Sequence, residues 1–171
     1  PGWRATYAGL LVNYLPNEKV ISALRPLLDD PSPMVRQRAT RTLSNSDAAS
    51  ATLEKLSDSS RSVRLAASIG FTTANQPIPD ETAKKEWDEY IEFNIDRPQS
   101  LLILANTASR EGRLADVQKY IERSIELDQL NPDMYHQAAI ILSSAGLNQA
   151  AERTLYKGWE LAPKNPTFPY S

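Results

Sequence analysis

The sequence predicts an all-α fold, a solenoid of helical hairpins, and three observations predict it. Two internal periods run through the chain. In the back half Pro98, Pro132 and Pro166 recur every 34 residues, as do Gly112 and Gly146, and in the front half "LLDDPSPMVRQRATRTL" overlays "KLSDSSRSVRLAASIGF" at a shift of 28. Fixed periods in this range mark chains that stack one supersecondary unit on the next. The second observation is punctuation, because proline and glycine fall where helices start and stop. The third is composition: 171 residues, 41% hydrophobic and 23% charged, are enough to bury a core and exclude a disordered chain.

Taken in order, "PGWRATYAGLL" follows "PMVRQRATRTL" and pairs Pro1 with Pro33, Trp3 with Val35, Arg4 with Arg36 and Leu11 with Leu43, so it reads as the second helix of a hairpin. Two hairpins follow. Their first helices are expected over Lys19–Leu28 and Ala48–Leu56, each followed by a turn that carries Asp30 or Asp58. Their second helices open on Val35-Arg36 and Val63-Arg64, with Ser32 and Ser60 as N-caps whose hydroxyls are expected to satisfy backbone donors. "TTANQPIPD" has the composition of a loop, and Asp80 is placed to cap a helix running to about Ile95. Trp87, Tyr90, Ile91 and Ile95 give that helix one apolar stripe, which is expected to pack against both arrays.

In the back half each 34-residue unit reads as helix, glycine turn, helix. Asn131 caps a helix that Pro132 opens, Gly112 and Gly146 end first helices in a left-handed conformation, and Ala105, Ala139, Ala151 and Gly158 let helices approach closely. The expected organisation is hairpins over 1–73, linker and connecting helix over 74–97, and the 34-residue repeats over 98–171.

Over residues 98–165 these marks resemble the tetratricopeptide repeat (TPR), whose terminal proline is matched by Pro163 in "ELAPKNP". Gln129 in "ELDQLNP" and Val117 depart from its pattern, and Pro166 begins a third repeat that is not completed. The front half resembles HEAT repeats of a short kind. Together these resemblances imply a right-handed superhelix. They also imply a protein-binding groove lined by Gln99, Leu102, Ile103, Asn106 and Arg110 from the first TPR and Asp133, His136, Gln137 and Ile140 from the second. Asn106 matches one position of the clamp that grips C-terminal carboxylates in some members, but Leu102 stands where a lysine is needed and Gln137 where an asparagine is usual, so that ligand is not expected.

The succession of HEAT-like and TPR-like repeats, with "PGWRAT" and "DRP", resembles the C-terminal region of bacterial multihaem c-type cytochromes. That resemblance implies export to the periplasm; without it the expected compartment is the cytoplasm. A first residue that is not methionine and incomplete repeats at both ends lead us to expect a piece of a longer chain. No apolar run approaches the roughly 18 residues of a membrane span.

The candidate chemistry reduces to architecture. There is no cysteine, so thiolate sites and covalent haem attachment within these residues are excluded, and no cofactor or metal is expected. Asp30 with Arg36 and Asp58 with Arg64 recur in register with the repeat, and the HEAT resemblance implies pairs that link adjacent turns, so we read them as a structural ladder. A phosphoserine switch at Ser32 is the weaker alternative there. His136 is the single histidine; Asp133 and Ser143 near it come with no nucleophile elbow, so a solvent-exposed bystander is the first reading, contact with a partner, which the TPR resemblance implies, the second, and catalysis the last. Adjacent carboxylates at Asp29/Asp30 and Asp88/Glu89 point apart, unlike the facing pair of a glycosidase. No Walker loop or dinucleotide fingerprint occurs. Arg4, Arg36, Arg38, Arg41, Arg61 and Arg64 raise nucleic-acid binding, but residues 1–73 carry nine basic against six acidic side chains and the remainder ten against fifteen, so no nucleic-acid partner is expected. Trp3, Trp87 and Trp159 are read as core or inter-repeat packing. The expected role is a non-enzymatic docking scaffold for a protein or peptide, or for another domain of the same chain. The alternatives are a substrate-recruiting segment of an enzyme such as an O-linked N-acetylglucosamine transferase, and nucleic-acid binding by the front half.

Overall fold

A computed structural model describes residues 1–44, 47–74 and 76–165, with residues 47–49 described by backbone alone. Among the described residues every regular element is helical. None of those helices is long and apolar enough to cross a membrane. The chain divides into two compact units, Pro1–Glu89 and Tyr90–Ser171, with the division inside the connecting helix.

The first unit begins with α1 (Gly2–Leu10), continued by a 3-10 turn to Tyr14. Asn17 then caps α2 (Glu18–Leu24), its Oδ1 accepting the Lys19 N–H at 2.9 Å. The helix expected to run unbroken to Leu28 tightens into 3-10 winding over Arg25–Asp29, because Pro26 has no N–H to give an α-helical ladder. Next come α3 (Pro33–Leu43), a 3-10 segment over Asp47–Ser57, α4 (Arg61–Thr73) and α5 (Glu81–Phe93). Pro33 stands in the first turn of α3, where its missing N–H costs nothing. Asp80 caps α5 as expected, accepting the Ala83 N–H at 2.7 Å. The apolar stripe of α5 stops at Ile91, since the helix ends at Phe93 and Ile95 lies exposed beyond it.

In this unit α3 packs on α1, and α4 packs on α3. Ala8, Ile21, Leu24, Leu28, Ala39 and Leu43 form one core cluster, and Leu56, Ala67 and Ala83 a second. Full burial of a leucine such as Leu24, Leu43 or Leu56 stabilises by roughly 1.5–3 kcal/mol each. Small residues bring the helices close. Thr42 Oγ1 donates to the Ala8 carbonyl at 3.0 Å, and a Cβ added at Gly70 would sit 2.5 Å from Ser44 Oγ.

The second unit holds two hairpins, α6 (Pro98–Arg110) with α7 (Leu114–Leu127) and α8 (Pro132–Ser144) with α9 (Asn148–Leu161). Gly112 and Gly146 adopt φ of +70° and +77°, a region that other residues enter at a cost. Each closes a double-bonded helix end: Gly112 and Arg113 donate to the Ser109 and Ala108 carbonyls, and Gly146 and Leu147 to those of Ser143 and Leu142. Asn131 caps α8 by accepting the Asp133 N–H at 3.1 Å. Where the TPR pattern has proline, the Gln129 carbonyl accepts from the Tyr135 hydroxyl at 3.0 Å. The core joins Leu102, Ala105, Ala108, Val117 and Ile121 to Met134, Ala138, Ala139, Leu142 and Ala151, so residues 34 positions apart, such as Ala105 with Ala139 and Val117 with Ala151, share one core. The expected third repeat from Pro166 lies outside the described residues.

Candidate functional site

Three features of the surface can carry function. They are a ladder of arginine–carboxylate pairs on the first unit, the outward face of α6 and α8, and a cleft between α7 and α9.

The ladder has three rungs, and its pairing corrects the sequence reading. Asp30 does not give its carboxylate to Arg36, nor Asp58 to Arg64. Each carboxylate goes to the arginine of the preceding hairpin: Arg4 grips Asp30 at 3.0 and 3.1 Å, and Arg36 grips Asp58 at 2.8 and 2.9 Å. Arg64 grips Glu86 of α5 at 2.7 and 2.5 Å. Within its own hairpin the arginine reaches a main-chain oxygen instead. Arg36 Nη1 donates to the Asp30 carbonyl at 3.0 Å, and Arg64 Nη1 to the Asp58 carbonyl at 2.6 Å. The reason is local. Each aspartate turns its Oδ1 back to accept the N–H of Ser32 or Ser60, at 2.9 and 2.8 Å, and that carboxylate is then aimed away from its own helix.

The serines do occupy the N-cap positions, but neither hydroxyl caps; Ser60 Oγ lies 3.0 Å from Ser62 Oγ. The guanidinium partner, assisted by that serine N–H, holds Asp30 and Asp58 below the usual carboxylate range, and Arg64 does the same for Glu86. In return Arg36 and Arg64 are raised above their ordinary values.

The remaining acids point apart. Asp29 pairs with Lys55 at 2.7 Å, Asp88 with Lys84 at 2.5 Å, and Glu89 approaches Arg61 at 4.0 Å, so neither adjacent pair forms a facing couple. His136 is half-buried on α8, whereas Asp133 and Ser143 are exposed. Of the tryptophans, Trp87 is buried and Trp159 half-buried, but Trp3 is exposed, which corrects its reading as packed.

On α6, Gln99, Ile103, Asn106 and Arg110 follow one another at helical spacing on one face, and Asp133, Gln137 and Ile140 do the same on α8, with His136 at the edge. Since α6 and α8 pack side by side, the two rows belong to neighbouring helices. All eight are exposed or half-buried. Leu102 is not part of this surface: at 5% exposure it belongs to the core with Met134 and Ala138. Its position turns toward the adjoining helix, and an apolar side chain follows the core.

The cleft between α7 and α9 was not anticipated. It encloses about 400 Å³ over a floor of Ile121, Ile125, Tyr135 and Leu142, with Glu122 and Glu126 on the α7 wall and Arg153 and Lys157 on the α9 wall. At 100° per residue, Tyr135 and Leu142 project from the side of α8 opposite Asp133, Gln137 and Ile140, so cleft and outward face are on opposite sides of the hairpins. The signal for it in the sequence is a pair of like charges at i, i+4 on each second helix, acidic on one and basic on the other. Compared with known proteins, the chain matches no family model, no curated protein and no solved structure.

Proposed function

We propose that this chain is a non-enzymatic docking module in which stacked helical hairpins, HEAT-like and then TPR-like in a right-handed superhelix, present surface to a protein or peptide partner. The observation that carries the reading is the outward face of α6 and α8. Two neighbouring helices offer a mixed polar and apolar row, from Gln99, Ile103 and Asn106 on one to Gln137 and Ile140 on the other, while the opposite sides of both are committed to the core. Such a face suits extended or helical peptides, which take affinity from a few apolar anchors and specificity from the polar groups around them.

On our reading, the resemblance to the C-terminal region of multihaem c-type cytochromes implies that the module would belong to an exported bacterial protein and dock an electron-carrying domain. A cysteine-free segment binds no covalent haem itself. Recruiting substrate to an enzyme's catalytic domain uses the same face. Nucleic-acid binding is disfavoured by the ladder: Arg4, Arg36 and Arg64, half of the front unit's candidate arginines, are held in bidentate pairs with carboxylates.

The test is crosslinking capture in three arms: the unaltered chain, a face variant carrying Asn106→Ala, Arg110→Glu and His136→Ala, and a cleft variant carrying Glu122→Lys and Arg153→Glu. The expected result is a partner kept by the cleft variant and lost by the face variant. The reverse pattern moves docking to the cleft, and equal recovery by all three removes both surfaces.

A further inference from the structure

The cleft between α7 and α9 holds two charged walls of opposite sign that do not meet. Glu122 and Glu126 stand one turn apart on α7, and Arg153 and Lys157 one turn apart on α9, all four exposed. Among the described residues no ion pair crosses from one wall to the other. Glu126 is paired at 2.9 Å with Arg123 of its own helix, an exposed contact that contributes little and is easily exchanged, and Glu122, Arg153 and Lys157 have no side-chain partner.

The floor between the walls is apolar. Ile121, Tyr135 and Leu142 are buried there and Ile125 and Ala150 half-buried, and the one polar group, the Tyr135 hydroxyl, is already given to the Gln129 carbonyl at 3.0 Å. An extended peptide laid on such a floor would leave main-chain N–H and C=O groups unpaired. A helix brings its main chain already bonded, and it shows three faces, one for the floor and one for each wall. The lining runs from Gln118 to Glu126 on α7 and from Ala150 to Lys157 on α9, about two turns of each helix. Within each wall the like charges are spaced i, i+4, the spacing at which an occupying helix also repeats a face.

We propose that the cleft docks an amphipathic helix of a partner protein, with apolar side chains at i, i+4 and i+7 on the floor, basic side chains toward Glu122 and Glu126, and acidic ones toward Arg153 and Lys157. This site is separate from the face of α6 and α8 and lies on the opposite side of the hairpins. Opposite signs on the two walls do more than attract. A helix turned end for end exchanges its flanks, so only one direction satisfies both walls, and the cleft selects the polarity of the bound helix as well as its composition. Two walls of one sign would accept either direction.

The probes are three labelled synthetic helices of about 16 residues, stapled on the side away from their leucines so that each is helical before it binds. All carry leucine at i, i+4 and i+7; one has lysines on one flank and glutamates on the other, one has lysines on both, and one has glutamates on both. Fluorescence anisotropy with the unaltered chain is expected to show the mixed helix bound about ten-fold more tightly than either of the others at low salt, the gap narrowing as salt is added. Glu122→Lys with Glu126→Lys transfers the preference to the all-glutamate helix. Adding Arg153→Glu and Lys157→Glu reverses both walls, which keeps the mixed helix but turns it round. A photocrosslinker at the N-terminus of the helix then moves from one end of the cleft to the other, between Ala150 and Lys157. Equal binding of the three helices, or binding of none, overturns the proposal. So does a crosslink that stays in place after the reversal, or one that maps to the outward face of α6 and α8. The ranking of the helices is read on the unaltered chain, so it decides even where a variant loses its fold. Because the readout is a defined helix and not partner capture, failure here leaves docking on α6 and α8 untouched, and the converse holds.

Discussion

Replacing Arg36 by methionine separates a structural ladder from a decorative one. The substitution removes two charge-assisted bonds to Asp58, at 2.8 and 2.9 Å, and one to the Asp30 carbonyl at 3.0 Å, while methionine keeps most of the aliphatic stem. Asp58 is left as a carboxylate with a side chain only 7% exposed. Charge-assisted bonds contribute about 1.5–3 kcal/mol net, and orphaning one partner of a buried pair costs about 3–5 kcal/mol. Asp58 still accepts the Ser60 N–H and lies near Lys55, so the lower part of these ranges applies, about 3 kcal/mol for Arg36→Met.

In a unit of this size that corresponds to a fall in Tm of roughly 15 °C. The assay is thermal and urea unfolding followed through Trp87, which is buried in the first unit, with Trp159 reporting the second. Arg4→Met is the internal control, because its guanidinium is half in solvent and exposed pairs contribute little. The expected outcome is a large shift for Arg36→Met in the Trp87 transition, a shift of a few degrees at most for Arg4→Met, and no change in the Trp159 transition. Equal effects of the two substitutions would refute the claim that desolvation and the second grip on Asp30 make the inner rungs structural.

Acid should unfold the first unit selectively. Asp58 and Glu86 have folded pKa values below their unfolded ones, so their stabilisation is complete above about pH 4–5 and is lost as pH falls through the folded values. Scanning the Trp87 transition from pH 6 to pH 2 checks this, and Arg36→Met should flatten the profile. Thr40→Val should raise stability by about 1 kcal/mol in urea titration, since Thr40 Oγ1 is buried without a hydrogen-bond partner among the described residues and valine keeps the shape. Gly70→Ala should destabilise by roughly 1–3 kcal/mol through the clash with Ser44, whose Cβ lies 2.7 Å from the new atom. Gly146→Ala meets no atom of the described residues within 4 Å and should cost only about 1–2 kcal/mol of backbone strain in the same titration, a comparison that separates crowding from a positive φ.

Helices were legible in the sequence wherever the feature that specifies them is local. Proline in the first turn and glycine at the end fixed α6 and α8 closely, and Asn131 and Asp80 cap as their positions imply. Two helices were misread in winding: Pro26 was present as a signal, but its effect on the end of the α2 segment was not drawn, and the Asp47–Ser57 stretch carries no comparable mark. Pairing was harder, because a 28-residue period states that Asp30 and Arg36 recur without stating which copy meets which. The structure resolves that through a third group, the Ser32 N–H, which turns the carboxylate toward Arg4. Leu102 and the cleft failed for a related reason. A helical wheel gives the faces of one helix, whereas the side turned to a neighbour depends on which helices become neighbours.

The two units therefore hold their hairpins by different physics. Apolar packing alone lets one helical hairpin slide on the next, since burial is proportional to area and indifferent to direction. In the first unit each inner arginine fork removes that freedom by gripping two elements at once, a carboxylate from the element that follows (Asp58 for Arg36, Glu86 of α5 for Arg64) and a carbonyl from its own hairpin, which makes the register of each hairpin conditional on its neighbour. In the second unit the ion pairs among the described residues are short-range, Arg113 with Glu111 and Asp116 and Arg123 with Glu126, and tie no hairpin to another. There the register rests on shape, with Ala105, Ala108, Ala138 and Ala139 drawing the helices together and Gly112 and Gly146 fixing where each chain reversal falls. A register set by small-residue packing asks for no ion pair between hairpins, whereas the ladder commits Arg36 and Arg64 of the first unit to holding the fold. That difference is the physical reason for placing docking on α6 and α8 and architecture on the arginines.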